Sequence, residues 1–256
     1  WTFALSVVQT LILLATTAAF GYAPLAENNM LGPNLLILDA LGAKNAALIL
    51  ERNEWWRLLT PIMLHSGWFH LVANLILQLR VGMSLEVCWG HSAFLLIYVV
   101  SGAVAFLASC VMMPNSMSVG SSGALCGVLG AWPVFMLATW NQTMPRDVGL
   151  RNTRITMVAG SIVIMIPLSF LPLVDRAAHI GGLLTGAALS AILFASRLQF
   201  RAWRIATCAA GFLALATMLA GLLGVFLTIT EPSDQLLHVC PPVDVRPFRR
   251  CLASDP

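Results

Sequence analysis

The sequence predicts an all-α polytopic membrane protein, and three observations predict it. Hydrophobic residues make up 59% of the 256 and charged residues only 10%, with a mean hydropathy of +0.85; soluble domains run at roughly 45–50% apolar and about 25% charged. The apolar residues gather into charge-poor runs of the roughly 20 residues that cross about 30 Å of hydrocarbon. Within those runs apolar and polar residues do not alternate as they would in a membrane-spanning barrel. With 14 basic and 11 acidic side chains the chain could not cover a soluble surface, and it is too apolar to stay disordered. A net charge of +3 points to neither a nucleic acid nor an acidic partner.

Seven runs are expected as spans: 3–20, 67–85, 92–113, 117–140, 155–174, 177–196 and 205–230. The second is polar inside, with Arg80 and Glu86 near its end. The fifth holds Pro167 and Pro172, tolerable where neighbouring helices satisfy the freed carbonyls. The first loop, 21–66, is unusually long and carries the apolar stretches 35–38 and 46–50 and the pair Trp55-Trp56. Aromatic rings favour the membrane–water interface, so this loop is read as lying in that interface. Residues 1–230 are read as one membrane domain and 231–256 as a polar tail, with no linker or low-complexity segment between.

Short-loop arginines set the orientation. Arg146, Arg151 and Arg154 follow the fourth span, and Arg197, Arg201 and Arg204 follow the sixth. Residues 114–116 carry no charge, and only Asp175 and Arg176 separate spans five and six. The N-terminus is therefore expected in the cytoplasm and the tail outside or in a lumen, in the plasma membrane or the secretory pathway. The chain starts at Trp1 rather than Met, so a preceding native segment is expected to be missing, and targeting signals are not read.

Polar groups inside spans are functional hypotheses by default. His70, Asn74 and Gln78 are spaced by four in span two and share one helical face. Gly120-Ser121-Ser122-Gly123 opens span four, and His179 lies near the start of span six. Spans two, four and six run in the same direction, so His70, Asn74, Ser122 and His179 fall at one depth below the outer face. Gly123 and Gly127, and Ala178, Gly182 and Gly186, repeat every four residues, a spacing that lets helix backbones approach closely. Such an approach would bring His179 within reach of Ser122, a nucleophile beside its base. The free N–H groups of a helix start, with His70 and Asn74, could hold a developing oxyanion. Each residue alone has a plainer reading: a membrane serine usually bonds to a carbonyl one turn earlier, and a lone histidine is often interhelical glue. The shared depth favours the joint reading.

Taken together these residues resemble the rhomboid family of intramembrane serine proteases, from residue 55 to about 196. The resemblance rests on Trp56-Arg57, His65, His70 with Asn74, Gly120-Ser121-Ser122-Gly123, and Ala178-His179 followed by Gly182 and Gly186. The stretch 65–86 and the seventh span look like eukaryotic secretase-type members, a six-helix core plus one C-terminal helix. The resemblance implies that Ser122 is the nucleophile and His179 the general base, then acid. It implies an oxyanion hole of His70, Asn74 and the Ser122 N–H, and structural roles for Trp56, Arg57, Gly120, Gly123, Gly182 and Gly186. It implies transmembrane protein substrates in the lipid bilayer and needs neither cofactor nor metal. Many members carry a tyrosine one turn after the nucleophile; here Cys126 stands there, which removes that support for His179 but neither dyad residue.

The remaining cysteines have no metal-site spacing. Cys88, Cys110, Cys126 and Cys208 read as small apolar fillers. Cys240 and Cys251 lie in the tail, where the outer compartment permits a disulfide, although sequence does not show that they meet. Asn141-Gln142-Thr143 matches a glycosylation acceptor but falls on the inner side in this topology, so it is expected unmodified. Two other classes compete with a protease: a catalytically weak or inactive rhomboid-like protein that binds membrane clients, and a transporter. No internal repeat or midplane path of ionisable residues supports the transporter.

Overall fold

A computed structural model describes residues 1–142, 147–170, 174–228 and 230–237. Arg146, Thr143, Pro172 and the tail with Cys240 and Cys251 lie outside the described residues. The described residues form ten α-helices: α1 (Thr2–Phe20), α2 (Leu35–Ala40), α3 (Ala46–Arg52), α4 (Trp68–Leu77), α5 (Met83–Trp89), α6 (His91–Met112), α7 (Ser122–Thr139), α8 (Val148–Leu168), α9 (Arg176–Phe194) and α10 (Arg201–Thr228). A π-helical turn, Gln78–Gly82, joins α4 to α5, so that Trp68–Trp89 is one rod.

Six stretches are long and apolar enough to cross a membrane: Thr2–Phe20, Trp68–Trp89, His91–Met112, Ser122–Gln142, Arg176–Arg197 and Arg201–Thr228. The chain is an all-α polytopic membrane protein. Helix α8 occupies the fifth apolar run but starts at Val148, so its first turns take in Arg151 and Arg154. Helix α7 starts at Ser122 rather than near 117. The reason is a short antiparallel bridge: Lys44 N–H donates to Ser118 O at 2.9 Å and Ser118 N–H to Lys44 O at 3.3 Å. That pairing keeps Ser118 out of a helix, and the turn at Gly120 and Ser121 follows it.

Helix α7 is the centre. Leu125, Val128, Leu129 and Trp132 on α7 pack with Phe94, Tyr98 and Phe106 of α6, and all are buried. Contact with α9 is closer, backbone against backbone. A methyl group on Gly182 would fall into the carbonyl oxygen of Gly123, and one on Gly186 into that of Gly127. In lipid, where apolar burial no longer drives helices together, such small-residue contacts and interhelical hydrogen bonds supply the association. One such bond is Ser190 Oγ–H to Ala131 O at 2.8 Å.

The first loop folds over one end of the bundle. Asn34 and Asn45 cap α2 and α3 with their side-chain oxygens, and Asn53 ends α3 in the left-handed region at φ 56°. Arg57 is fully buried beneath them. Its Nη1 donates to Asp39 O at 2.6 Å and Ala43 O at 2.8 Å, and its Nε pairs with Glu54 at 2.5 Å. The guanidinium lies 4.8 Å from the centre of the Trp56 ring. Lys44 is also buried, its Nζ donating to Met113 O at 2.8 Å and Ser116 O at 2.6 Å. Burial holds its amine below the ordinary lysine value. Residues after α10 return to the same end: Asn45 Nδ2 donates to Leu236 O at 3.1 Å, and Ser233 N–H to Asn115 Oδ1 at 2.7 Å. The opposite end carries Arg154 on Ser84 at 3.2 Å and the Gln142–Arg197 contact.

Candidate active site

The site forms where α7 and α9 begin, just beneath the first loop. Ser122 is the first residue of α7. The turn before it is clamped from above by the Lys44–Ser118 bridge and by Gly120 N–H donating to Pro61 O at 2.9 Å. Gly120 sits at φ 124°, a conformation L side chains rarely adopt. It also leaves room for His70, since a Cβ there would lie 2.6 Å from His70 Cε1.

His179 stands in the first turn of α9. Asp175 caps that helix, accepting from Ala178 N–H at 2.9 Å and from Ser109 Oγ–H at 2.5 Å. A carboxylate at a helix start also meets the positive end of the helix dipole. Asp175 therefore ties the start of α9 to α6. With the glycine seam holding α7 against α9, His179 Nε2 comes to 2.8 Å from Ser122 Oγ. The imidazole is buried, and Ser122 is partly accessible. The other ring nitrogen, Nδ1, is 2.6 Å from Ser169 Oγ at the end of α8. Sequence reading did not single out Ser169. Its only local signal is a polar residue beside Pro167.

His70 and Asn74 lie on α4 facing the Gly120-Ser121 turn. Ser66 Oγ is 2.9 Å from His70 Nδ1. Asn74 Nδ2 donates to His70 O at 2.9 Å, and Ser121 Oγ–H reaches Asn74 Oδ1 at 3.3 Å. His65 lies beside them, its ring 5.3 Å from that of His70 and its Nε2 3.4 Å from Ser121 Oγ. Gln78, which opens the π-helical turn one turn beyond Asn74, is not part of this group. It is buried in a second network: its Nε2 donates to Ser6 Oγ at 2.8 Å and Gln9 Oε1 at 3.0 Å, and Tyr98 O–H donates to its Oε1 at 2.7 Å. Those bonds tie α1, the π-helical turn and α6 together. Cys126 is buried one turn along α7, and Cys88, Cys110, Cys126 and Cys208 are free thiols.

The fold and site thus define a class: a polytopic helical membrane protein with a serine–imidazole hydrogen bond enclosed at one end of its bundle. Residues 52–196, more than half of the chain, match the rhomboid domain family model. The chain belongs to the rhomboid family. It is 38% identical over 174 residues to RHOMBOID-like protein 6, mitochondrial, of Arabidopsis thaliana, covering 68% of this chain and 55% of that one. It is 39% identical over 165 residues to the Rhomboid protease GluP of Bacillus subtilis, covering 63% of this chain and 30% of that one. It is 33% identical over 169 residues to the Inactive RHOMBOID-like protein 8 of Arabidopsis thaliana, covering 65% and 46%. The chain spans about half the length of the first of these relatives.

Proposed function

We propose that the chain is an intramembrane serine endopeptidase that cuts transmembrane segments of other membrane proteins with Ser122 and His179. The observation that carries this reading is the 2.8 Å contact between Ser122 Oγ and His179 Nε2. Ser122 Oγ attacks the scissile carbonyl while its proton passes to Nε2, and the imidazolium then protonates the leaving amine. A water activated by the same nitrogen hydrolyses the acyl-enzyme ester, and Ser122 recovers its proton. The pair works without the carboxylate of a triad.

The tetrahedral oxyanion is held by the Ser122 N–H, at a helix start where N–H groups lack intrahelical acceptors. With Ser66 donating to Nδ1, His70 carries its proton on Nε2, on the side of Gly120, and offers it to the oxyanion. Asn74 uses one amide hydrogen on its own helix and offers the other. Trp56 and Arg57 brace the loop, while Gly120 makes room for His70 and Gly123, Gly182 and Gly186 hold the two helices together. The end of the bundle that carries the site faces outside or into a lumen, which leaves the N-terminus in the cytoplasm. Substrates yield where small or helix-breaking residues weaken their helix enough to expose a peptide bond.

Similarity to a relative named inactive supports a second reading, a protein that binds membrane clients without cutting them. The presence of both Ser122 and His179 at hydrogen-bond distance weighs against it. The test compares reconstituted wild type with Ser122→Ala on a tagged single-span substrate. Product formation is expected to fall by at least about 10³-fold. Equal cleavage by both would overturn the assignment, and absence of cleavage and of active-site serine labelling in the wild type would favour the binding role.

A further inference from the structure

We propose that Ser169 is the positioning residue of the dyad: its hydroxyl holds His179 in the tautomer that has Nε2 free to take the Ser122 proton. This rests on the catalytic reading above and adds a member to it. Three hydrogen bonds carry the argument. Ser169 Oγ–H donates to Met165 O at 2.7 Å. A serine hydroxyl has one hydrogen, so the Ser169 oxygen can only accept from its next partner. That partner is His179 Nδ1, 2.6 Å away. Nδ1 therefore carries the imidazole proton, and Nε2 is left as an acceptor, facing Ser122 Oγ at 2.8 Å. The relay runs in one direction: Ser122 O–H to Nε2, Nδ1–H to Ser169 Oγ, Ser169 O–H to Met165 O.

The hydroxyl is fixed by more than its own rotamer. Ser169 closes α8, its N–H bonded to Met165 O at 3.0 Å, so the oxygen that accepts from His179 is set by a helix end. Cys126, one turn along α7 from Ser122, presents no ring on which the imidazole could stack. When Nε2 gains the Ser122 proton, Nδ1–H stays where it is, and the neutral oxygen opposite it receives a stronger donor. A hydroxyl can do this without the buried carboxylate that a triad uses for the same purpose.

Helix α8 itself is thinly held. Val158 is its one fully buried residue among those described, and Val163, Ile164, Ile166 and Phe170 are exposed. The Ser169–His179 bond could therefore be only a latch that keeps α8 closed. The two roles predict opposite signs. A latch, once removed, opens the site and speeds entry. A positioning bond, once removed, frees the ring to turn or change tautomer and slows the chemistry.

The experiment uses the full chain in liposomes and reads labelling of Ser122 by a small fluorophosphonate, which needs no helix to enter or unwind. Cleavage of a single-span substrate is measured beside it. For Ser169→Ala the labelling rate and kcat are expected to fall roughly 10- to 100-fold with KM nearly unchanged, and Ser169→Thr, which keeps the hydroxyl, to recover most of the rate. Phe170→Ala, next in sequence and facing outward, is expected to leave labelling unchanged. Nitrogen-15 spectra of histidine-labelled protein, with His179 assigned by His179→Ala, are expected to show Nδ1 protonated and Nε2 bare. Labelling by Ser169→Ala at or above the wild-type rate, or a His179 signal with the proton on Nε2, overturns the proposal. Wild type that labels while Ser169→Ala labels equally removes Ser169 alone; wild type that never labels removes the catalytic reading and this inference with it.

Discussion

Buried polar residues around the site sort by what their partners leave free. His179 has a partner on each ring nitrogen, and His70 keeps one nitrogen toward Gly120 while Ser66 occupies the other. His65 is different. It lies just before the second span, buried beside His70, and burial followed by the charge of His70 hold its imidazole down to about 3. An unfolded chain protonates histidine near its ordinary value of 6.5. Below that pH the unfolded state binds the extra proton and the folded state does not, so this residue leaves stability intact above 6.5 and erodes it as pH falls toward 3. The erosion is at most about 1.4 kcal/mol per pH unit. His65→Gln is expected to flatten the fall in thermal stability between neutral and acid pH by up to one proton's slope. An unchanged slope would show that His65 takes its proton while folded.

At the scale of elements, the α7–α9 seam does the positioning. His179 and Ser122 sit on different helices, and their separation follows from how closely the two backbones approach. Gly182 and Gly186 have carbonyl oxygens of α7 where a Cβ would stand, and backbone has no rotamer with which to yield. Gly186→Ala is expected to destabilise the protein by about 1–3 kcal/mol, the usual cost of overpacking, read as a lowered melting temperature in detergent. Gly221→Ala on α10, with nothing within 4 Å of the new methyl, is the control and is expected to hold or raise stability. If both variants melt alike, the seam is not as close as described.

For the whole molecule, one end gathers the first loop, the 113–121 connection, the start of α9 and residues 230–237, while Arg151, Arg154 and Arg197 gather at the other. Positive residues mark the cytoplasmic side, so the site end is expected to face away from it. A membrane-impermeant thiol reagent applied to intact cells should label Asn115→Cys and not Gln142→Cys in a background lacking the native cysteines. The reverse pattern, or glycan on Asn141, would invert the topology.

What the amino-acid sequence determined by itself is the membrane, the all-α class and the family, and it placed His70, Asn74, Ser122 and His179 near the starts of their helices. These depend on local properties: charge content, run length, and a repeat of four that puts two side chains on one helical face. Gln78 shares a helical face with His70 and Asn74 in the sequence, but the face of a helix is visible in sequence and the neighbour it meets is not. Only the tertiary structure decided that Gln78 turns to Ser6, Gln9 and Tyr98, that Lys44 bridges to Ser118 and clamps the turn before Ser122, that Asp175 ties α9 to α6, and that Ser169 meets His179. All but the last join elements distant along the chain, the last joins two consecutive helices, and none is marked by its own spacing. Whether such groups meet is set by helix crossing and backbone approach, which no single segment encodes.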